Sequence, residues 1–292
     1  GESLAPGGGA NAVANVMALG GLPHPFGLVG DDASGRELLA AFAARGIPTG
    51  AILVRPGYGT PTKTRILAGF PTGIKQQVVR LDREQEVVLR GEEVEALRRA
   101  IAEAGGARAA ILSDYGYGSV VPALLPEIRK AVGQDGAILV DSRFRLGDFA
   151  GLDGATPNEE EAETLLGRPL DDPQGSDVGA GRELRERLRA RFLLITRGSR
   201  GMSLFTPDGA AHVPVHGTDQ VADVTGAGDT VIGTFALALA AGGSPREAML
   251  LAHYAGGVVV MKMGTSTVSR EELHAAITTD PRPRLEMTWV EF

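Results

Sequence analysis

The 292-residue sequence contains no cysteine. Disulfides, thiolate metal sites and a cysteine nucleophile are excluded together. It also lacks any stretch of ~18 consecutive apolar residues, so no segment reads as a membrane-spanning helix. The first residues show no basic stretch followed by an apolar core, and no signal peptide is read there. The chain starts at Gly1 without a Met, which suggests trimming or a leader. Basic residues are in deficit, 29 against 36 acidic, a net charge of −7. Phosphate backbones need clustered cations, so general nucleic-acid binding is disfavoured. Repeats of ~20–50 residues are absent. A cytoplasmic globular protein is the expectation, and 43% hydrophobic against 22% charged residues fits it.

What the sequence has in excess is glycine. There are 41, about twice the ~7% average, while aromatics are only 5%. The glycines follow no every-third-residue period, so collagen is excluded. Their positions carry the information.

Helical and strand patterns alternate along the chain. Helices are predicted at 11–19, 35–44, 92–103, 122–132, 159–166 and 182–190, with two long apolar helices after Asp229 and a short one over 270–277. Short apolar strands are read at 26–29, 109–112, 137–140 and 192–196, with a hairpin over 201–215. The alternation implies an α/β fold with a mostly parallel sheet covered on both faces. Ser113-Asp114, Asp141-Ser142 and Thr196-Arg197 each follow an apolar strand, at the end where such sheets bind ligands. Residues 62–68 and 76–81 read as two extra β-strands joined by the turn 69–73. They predict a small flap or lid whose edge a second copy of the chain would cover.

Three glycine clusters stand at expected strand or helix ends. The strongest is Asp223-Val224-Thr225-Gly226-Ala227-Gly228-Asp229, a small-residue turn opening into an apolar helix. Unpaired amides and the helix dipole make such a start an anion site suited to a phosphoryl group in transfer. Asp229 is a poor phosphate ligand but a suitable base for an attacking hydroxyl. The plainer reading is an acidic residue favouring a helix N-terminus. Gly7-Gly8-Gly9-Ala10-Asn11 reads as a terminal leader, a dinucleotide loop, or backbone and an amide gripping a polyhydroxylated ligand. The dinucleotide glycine fingerprint is not met, which disfavours a nicotinamide dehydrogenase. Thr196-Arg197-Gly198-Ser199-Arg200-Gly201 reads either as a β-turn or as a nucleotide loop. The long lysine-containing phosphate loop has no counterpart.

With these clusters in order, the chain resembles the ribokinase/PfkB carbohydrate kinase family. Residues 223–229 match its C-terminal signature, departing at Thr234. Gly8, Gly9, Asn11, Gly20 and Gly30 match its N-terminal one, with Val13 where a small residue is usual. Within the family the chain is most similar to heptose-7-phosphate kinases of bacterial ADP-heptose synthesis. The residues carrying that likeness are 62–65, 76–82, 112–115 and 264–269. Asp141-Ser142-Arg143-Phe144 replaces a usual Asp-Pro-Lys-Gly, and the turn 69–74 looks inserted; both bear on the sugar phosphate.

The resemblance implies a single ribokinase-like kinase domain over 1–292: a three-layer α/β/α sandwich with a mostly parallel central sheet, and a β lid from about 49–90. A family strand with a sugar-binding Asp is expected ahead of Gly7, and the nucleotidyltransferase half of bifunctional relatives has no counterpart. The implied reaction is ATP-dependent transfer to a sugar-phosphate hydroxyl, heptose 7-phosphate to heptose 1,7-bisphosphate. A ribokinase- or fructokinase-like kinase of an unphosphorylated sugar is the alternative. A non-catalytic sugar- or nucleotide-binding regulator is the alternative from another class.

By resemblance, Asp229 is the base and the Gly226, Ala227 and Gly228 amides stabilise the phosphoryl group. Asn158 and Glu161 organise Mg2+ through water, although the same pair reads as a helix cap with its partner. Thr196, Gly198 and Gly201 would follow the nucleotide phosphates and ribose, with Ala255 and Gly256 beside the adenine. Asp223 and Thr225 match positions that hold a monovalent cation such as K+. Gly8, Gly9 and Asn11 would hold the sugar. Lys63, Arg65, Lys75 and Arg80 on the lid, with Arg143, would meet a sugar phosphate. Ordinary edge-protecting charge is the other reading of the lid cations. The partners implied are a small sugar or sugar phosphate and a second copy of the chain through the lid, a homodimer.

Overall fold

The computed structural model describes residues 3–68, 76–149, 151–170, 178–215, 223–279 and 288–291. The chain runs α1 (Gly9–Ala18), β1 (Gly27–Gly30), α2 (Ala33–Ala43), β2 (Ile52–Arg55), β3 (Thr62–Ala68), β4 (Gln76–Arg83) and α3 (Gly91–Glu103). It continues with β5 (Ala109–Asp114), α4 (Leu125–Val132), β6 (Ala137–Ser142), β7 (Gly154–Ala155), α5 (Glu159–Leu166), α6 (Val178–Arg187) and β8 (Phe192–Thr196). β9 (Met202–Thr206), β10 (Gly209–Val213), α7 (Ala227–Ala240), α8 (Pro245–Val259), α9 (Arg270–Thr279) and β11 (Thr288–Glu291) complete it.

Helices start where the sequence supplies caps. Asp32 accepts the Gly35 N–H at 2.8 Å to open α2. Ser244 and Glu247 form a capping box at α8, with Pro245 in its first turn. Asn158 and Glu161 do the same for α5. α1 and α7 differ, since both open on glycine with no side-chain cap; backbone turns take the Ala10 and Ala227 amides instead.

The main sheet has the order β11-β10-β9-β8-β7-β6-β5. β5 through β8 are parallel, and β9, β10 and β11 continue it as an antiparallel meander. Alternation along the strands divides the core in two. Ile138, Val140, Leu193 and Ile195 face one layer with Leu166, Ala180 and Leu184 of α5 and α6. Leu139, Leu194 and Leu204 face the other, with Ile232 and Phe235 of α7 and Met249 of α8. Phe192 meets Phe235 edge-on, ring centroids 5.6 Å apart. Each fully buried side chain of this size contributes about 1.5–3 kcal/mol, which anchors the helix that begins with the glycine turn. The result is the α/β/α sandwich expected.

β1 and β2 form a separate parallel pair, and β3 with β4 an antiparallel ribbon, the expected lid. The connecting turn 69–73 and Lys75 lie outside the described residues. Asp32 ties the base of the ribbon to the body, accepting from the Thr60 N–H and hydroxyl at 2.8 Å each. Among the described residues, β1 and β5 are each paired on one side only. Both line one cleft of about 3250 Å³, walled on that side by Phe26, Leu97, Ile101 and Val132. No helix of the described residues is long and apolar enough to cross a membrane.

Candidate active site

The polar strand ends converge as their positions predict. Ser113 and Asp114 at the end of β5, Asp141 at the end of β6 and Thr196 at the end of β8 all line the cleft. The start of α7 closes one wall, and the lid, through Lys63, Arg65 and Arg80, overhangs it.

Gly226 takes the left-handed conformation (φ +78°) that turns the chain into α7. The Ala227 N–H bonds back to the Val224 carbonyl at 3.2 Å. Ala227 was expected among the phosphoryl donors; the turn has already used its amide. Gly228 stands in the first turn, and a Cβ there would meet nothing within 4 Å. Anion-sized space thus adjoins the helix start, where the dipole favours negative charge.

Asp229 sits one residue further in and is 2% exposed. Its Oδ1 accepts the Tyr115 hydroxyl at 2.7 Å, and its Oδ2 the Asn11 Nδ2 amide at 3.1 Å. Burial pushes its carboxyl up to about 6; Tyr115, Asn11 and the Arg143 charge pull the other way. A carboxylate in this range is ionised at neutral pH yet still a usable proton acceptor.

Asn11, expected to grip a sugar, is turned elsewhere. It is 1% exposed and also donates to the Gly226 carbonyl at 3.2 Å. It braces the loop and the carboxylate, because α1 packs directly on α7. Gly8 and Gly9 do line the cleft.

Asn158 Oδ1 accepts the Glu161 N–H, and Glu161 Oε2 accepts the Asn158 N–H, both at 2.9 Å. The pair caps α5, as the plainer reading has it, and it also lines the cleft. Burial raises the Glu161 carboxyl. Asp141 is pushed up to about 8 by burial and by the Glu161 and Asp229 charges. Among the described residues, no group of three His or acidic residues is close enough to hold a metal ion. A magnesium ion here would be bound through water and nucleotide phosphates, which suits its preference for few protein ligands.

Two cleft hydroxyls, Ser113 Oγ and Thr156 Oγ1, are buried without a hydrogen-bond partner among the described residues. Buried polar atoms are seldom left so, and a polar ligand would satisfy them. Gly198 lines the cleft in a left-handed conformation (φ +54°) with open space beyond it, as a phosphate-approaching turn needs. Gly201 does not face the ligand side. A Cβ there would lie 1.9 Å from the Val213 carbonyl, so the glycine is required by β10. Ala255 is wholly buried, packed with Leu19 and Val268, and a Cβ on Gly256 would stand 3.2 Å from Val231 Cγ2; neither residue lines the cleft. The expected adenine contacts at 255–256 are thus helix packing.

Asp223 clasps two loops, accepting the Thr225 N–H at 2.9 Å and the Gly264 N–H at 3.0 Å. Burial pushes its carboxyl up, but these bonds outweigh it and hold the group below the usual range. Arg65 adds to that from the lid.

The lid cations are not equivalent. Register sets Lys63 opposite Asp82 and Arg65 opposite Arg80. Lys63 bonds Asp82 and Glu84, and Arg80 bonds Asp82. Arg65 makes no ion pair among the described residues, and like charge across the ribbon pushes against it. Arg143 stands exposed with its guanidinium 6.0 Å from the Tyr115 ring centroid. In the sequence Tyr115 follows a polar strand end and closes the 112–115 motif, but neither assigns its hydroxyl a partner.

The chain resembles known kinases in both sequence and fold. It is 38% identical over 282 residues to a bifunctional protein HldE of Mesorhizobium japonicum, covering 95% of this chain and 55% of that protein. It is 40% identical over 283 residues to the HldE of Pelobacter propionicus, covering 94% and 56%. The chain thus spans little more than half the length of these curated relatives. Its backbone is similar to that of Escherichia coli phosphofructokinase-2 in complex with potassium (TM-score 0.73, 20% identity, 93% of this chain and 86% of that one). It is also similar to Arabidopsis thaliana ribokinase complexed with ribose and ATP (TM-score 0.70, 20% identity, 92% and 86%). The sequence pattern described as pfkB family carbohydrate kinase matches residues 2–272. A sandwich of this shape, with a glycine turn opening α7 onto a buried carboxylate, is accounted for by that match: the chain belongs to the pfkB family of carbohydrate kinases, phosphotransferases whose acceptor is an alcohol group.

Proposed function

We propose that the chain transfers the γ-phosphoryl group of ATP to a hydroxyl of a sugar phosphate, with heptose 7-phosphate as acceptor and heptose 1,7-bisphosphate as product. The observation that carries the reaction is Asp229, buried at the start of α7 beside the open space at Gly228. Asp229 takes the proton of the acceptor hydroxyl as that oxygen bonds to phosphorus. The bond from phosphorus to the β–γ bridging oxygen breaks, and ADP leaves with the electron pair. The Gly226 and Gly228 backbone faces the charge spread over the transferring oxygens. Thr196 and Gly198 line the donor side. Asn158 and Glu161 would hold a magnesium ion through water, and the ion would neutralise phosphate charge. Asp223 and Thr225 would hold a monovalent cation.

The heptose assignment rests on the lid and strand-end motifs, and on Arg65, a cation over the cleft with no ion pair among the described residues. Arg65→Ala is expected to raise KM for the phosphorylated sugar by about 10–100-fold with kcat nearly unchanged, the mark of lost ground-state binding. A coupled ADP-release screen with heptose 7-phosphate, fructose 6-phosphate, ribose and fructose tests the substrate. The already neutralised Lys63 and Arg80 favour the ribokinase- or fructokinase-like alternative, which preferential turnover of ribose or fructose would establish.

The second copy of the chain is assigned to the lid. Ile66, Val78, Val79 and Leu81 are exposed large apolar residues on one small ribbon. Sedimentation at micromolar concentration is expected to give a dimer, and Leu81→Glu with Val79→Glu a monomer. A wild-type monomer would overturn this assignment.

A further inference from the structure

Asp229 is approached from four elements. Tyr115 comes from the end of β5, Asn11 from α1, Arg143 from the segment after β6, and Asp141 from β6 itself. Among the described residues, only Tyr115 and Asn11 hydrogen-bond to its carboxylate. The Tyr115 ring is held on both sides. Gly8 (φ +56°) lies so close that a Cβ there would stand 3.2 Å from Tyr115 Cε2, and the Arg143 guanidinium covers the ring at 6.0 Å. A phenol clamped in this way delivers its hydroxyl to one oxygen of one carboxylate.

We propose that Tyr115 is a positioning residue for the phosphotransfer: its hydroxyl fixes Asp229 Oδ1 and favours the carboxylate over the carboxylic acid. The proposal rests on Asp229 being the base. A donor to a carboxylate stabilises the charged form, whereas burial opposes it. Asp229 is 2% exposed, so burial alone would drive it towards the protonated form, which cannot take the proton of the acceptor hydroxyl. Burial, with the Asp229 charge, raises the Tyr115 phenol above its ordinary value, so it stays protonated and acts as donor. Burial and the Glu161 and Asp229 charges raise Asp141, which favours its neutral form and lessens its repulsion of Asp229. Arg143 adds attraction through space without a bond.

The test is kcat/KM against pH for wild type, Tyr115→Phe and a chain carrying 3-fluorotyrosine at 115, with 13C-carboxyl titration of Asp229 in the nucleotide-free protein. Losing the hydroxyl should move the acid limb and the Asp229 titration up by about one pH unit. Above the limb, the deficit against wild type should shrink to a constant remainder, the loss that comes from the freed Oδ1. Fluorotyrosine, a more acidic phenol and stronger donor, should move both the other way. A uniform loss at every pH with an unmoved limb, or shifts of one sign for both replacements, overturns the proposal. If Tyr115→Phe fails to fold, fluorotyrosine keeps the hydroxyl and decides alone. Asp229→Asn separates the two ideas. Full turnover in it removes Asp229 as base, while the carboxyl titration still reports whether Tyr115 sets its ionisation.

Discussion

Asp229→Asn is expected to lower kcat by about 10²–10⁴-fold while ATP binding stays within a few-fold of wild type. The amide is nearly isosteric and keeps an oxygen for the Tyr115 hydroxyl, while its Nδ2 replaces the acceptor of the Asn11 amide, a modest cost in stability. It cannot take a proton. ATP contacts are assigned to the other wall of the cleft, at Thr196 and Gly198, and are untouched. Stopped-flow turnover with calorimetric ATP titration separates the two quantities, and full turnover in the variant would remove the base assignment. The sign of the pH dependence follows from the same carboxyl. Burial raises Asp229 to about 6, so the ionised base is lost as pH falls through that value. Wild-type activity therefore drops on the acid side of pH 6, and the variant shows no such limb.

Gly226→Ala should cost about 10²-fold in activity with a modest loss of stability. The left-handed conformation of Gly226 charges an alanine about 1–2 kcal/mol. A Cβ would also stand 2.5 Å from Asn11 Nδ2, forcing the amide off both the Gly226 carbonyl and Asp229. Displacing a reacting group by about 1 Å is enough for a loss of that size. Gly228→Ala is the comparison. It meets nothing within 4 Å and removes a glycine from a helix, so its melting temperature should equal or exceed that of wild type. Activity loss in Gly226→Ala beyond its change in stability then reports loop geometry. Equal activities in wild type and Gly226→Ala would sink this account.

The legible parts of the molecule were those with local causes. The apolar helices α7 and α8, the ribbon of β3 and β4 and the polar strand ends follow from periodicity and composition, and the glycine turn before Asp229 follows from its spacing. Elements made by distant partners were not legible. β7 is two residues long and exists because β6 and β8 flank it. α6 begins at Val178 rather than Arg182, because Gly181 is not a breaker there but the place where Phe205 packs; a Cβ would lie 2.2 Å from that ring. The same holds in the site. Asn11 looked like a sugar ligand beside its glycines, and the acceptors of its side-chain amide are more than 200 residues away. The neutral pairing of Lys63 with Asp82 could have been found, since the ribbon register sets them opposite each other. The Tyr115 bond could not, because no local pattern announces a hydroxyl aimed at a residue 114 positions on.

That separation bears on how the enzyme comes into being. Asn11 and Asp229 are 218 positions apart, and Asn15, one turn further along α1, reaches the Val268 N–H across 253. Loop closure over such spans is among the slower contributions to folding. Synthesis must therefore pass Val268 before α1 can complete these contacts. Until then α1 lacks its packing against α7, and the newborn chain passes through an interval folded in parts but with the Asn11–Asp229 bond unmade.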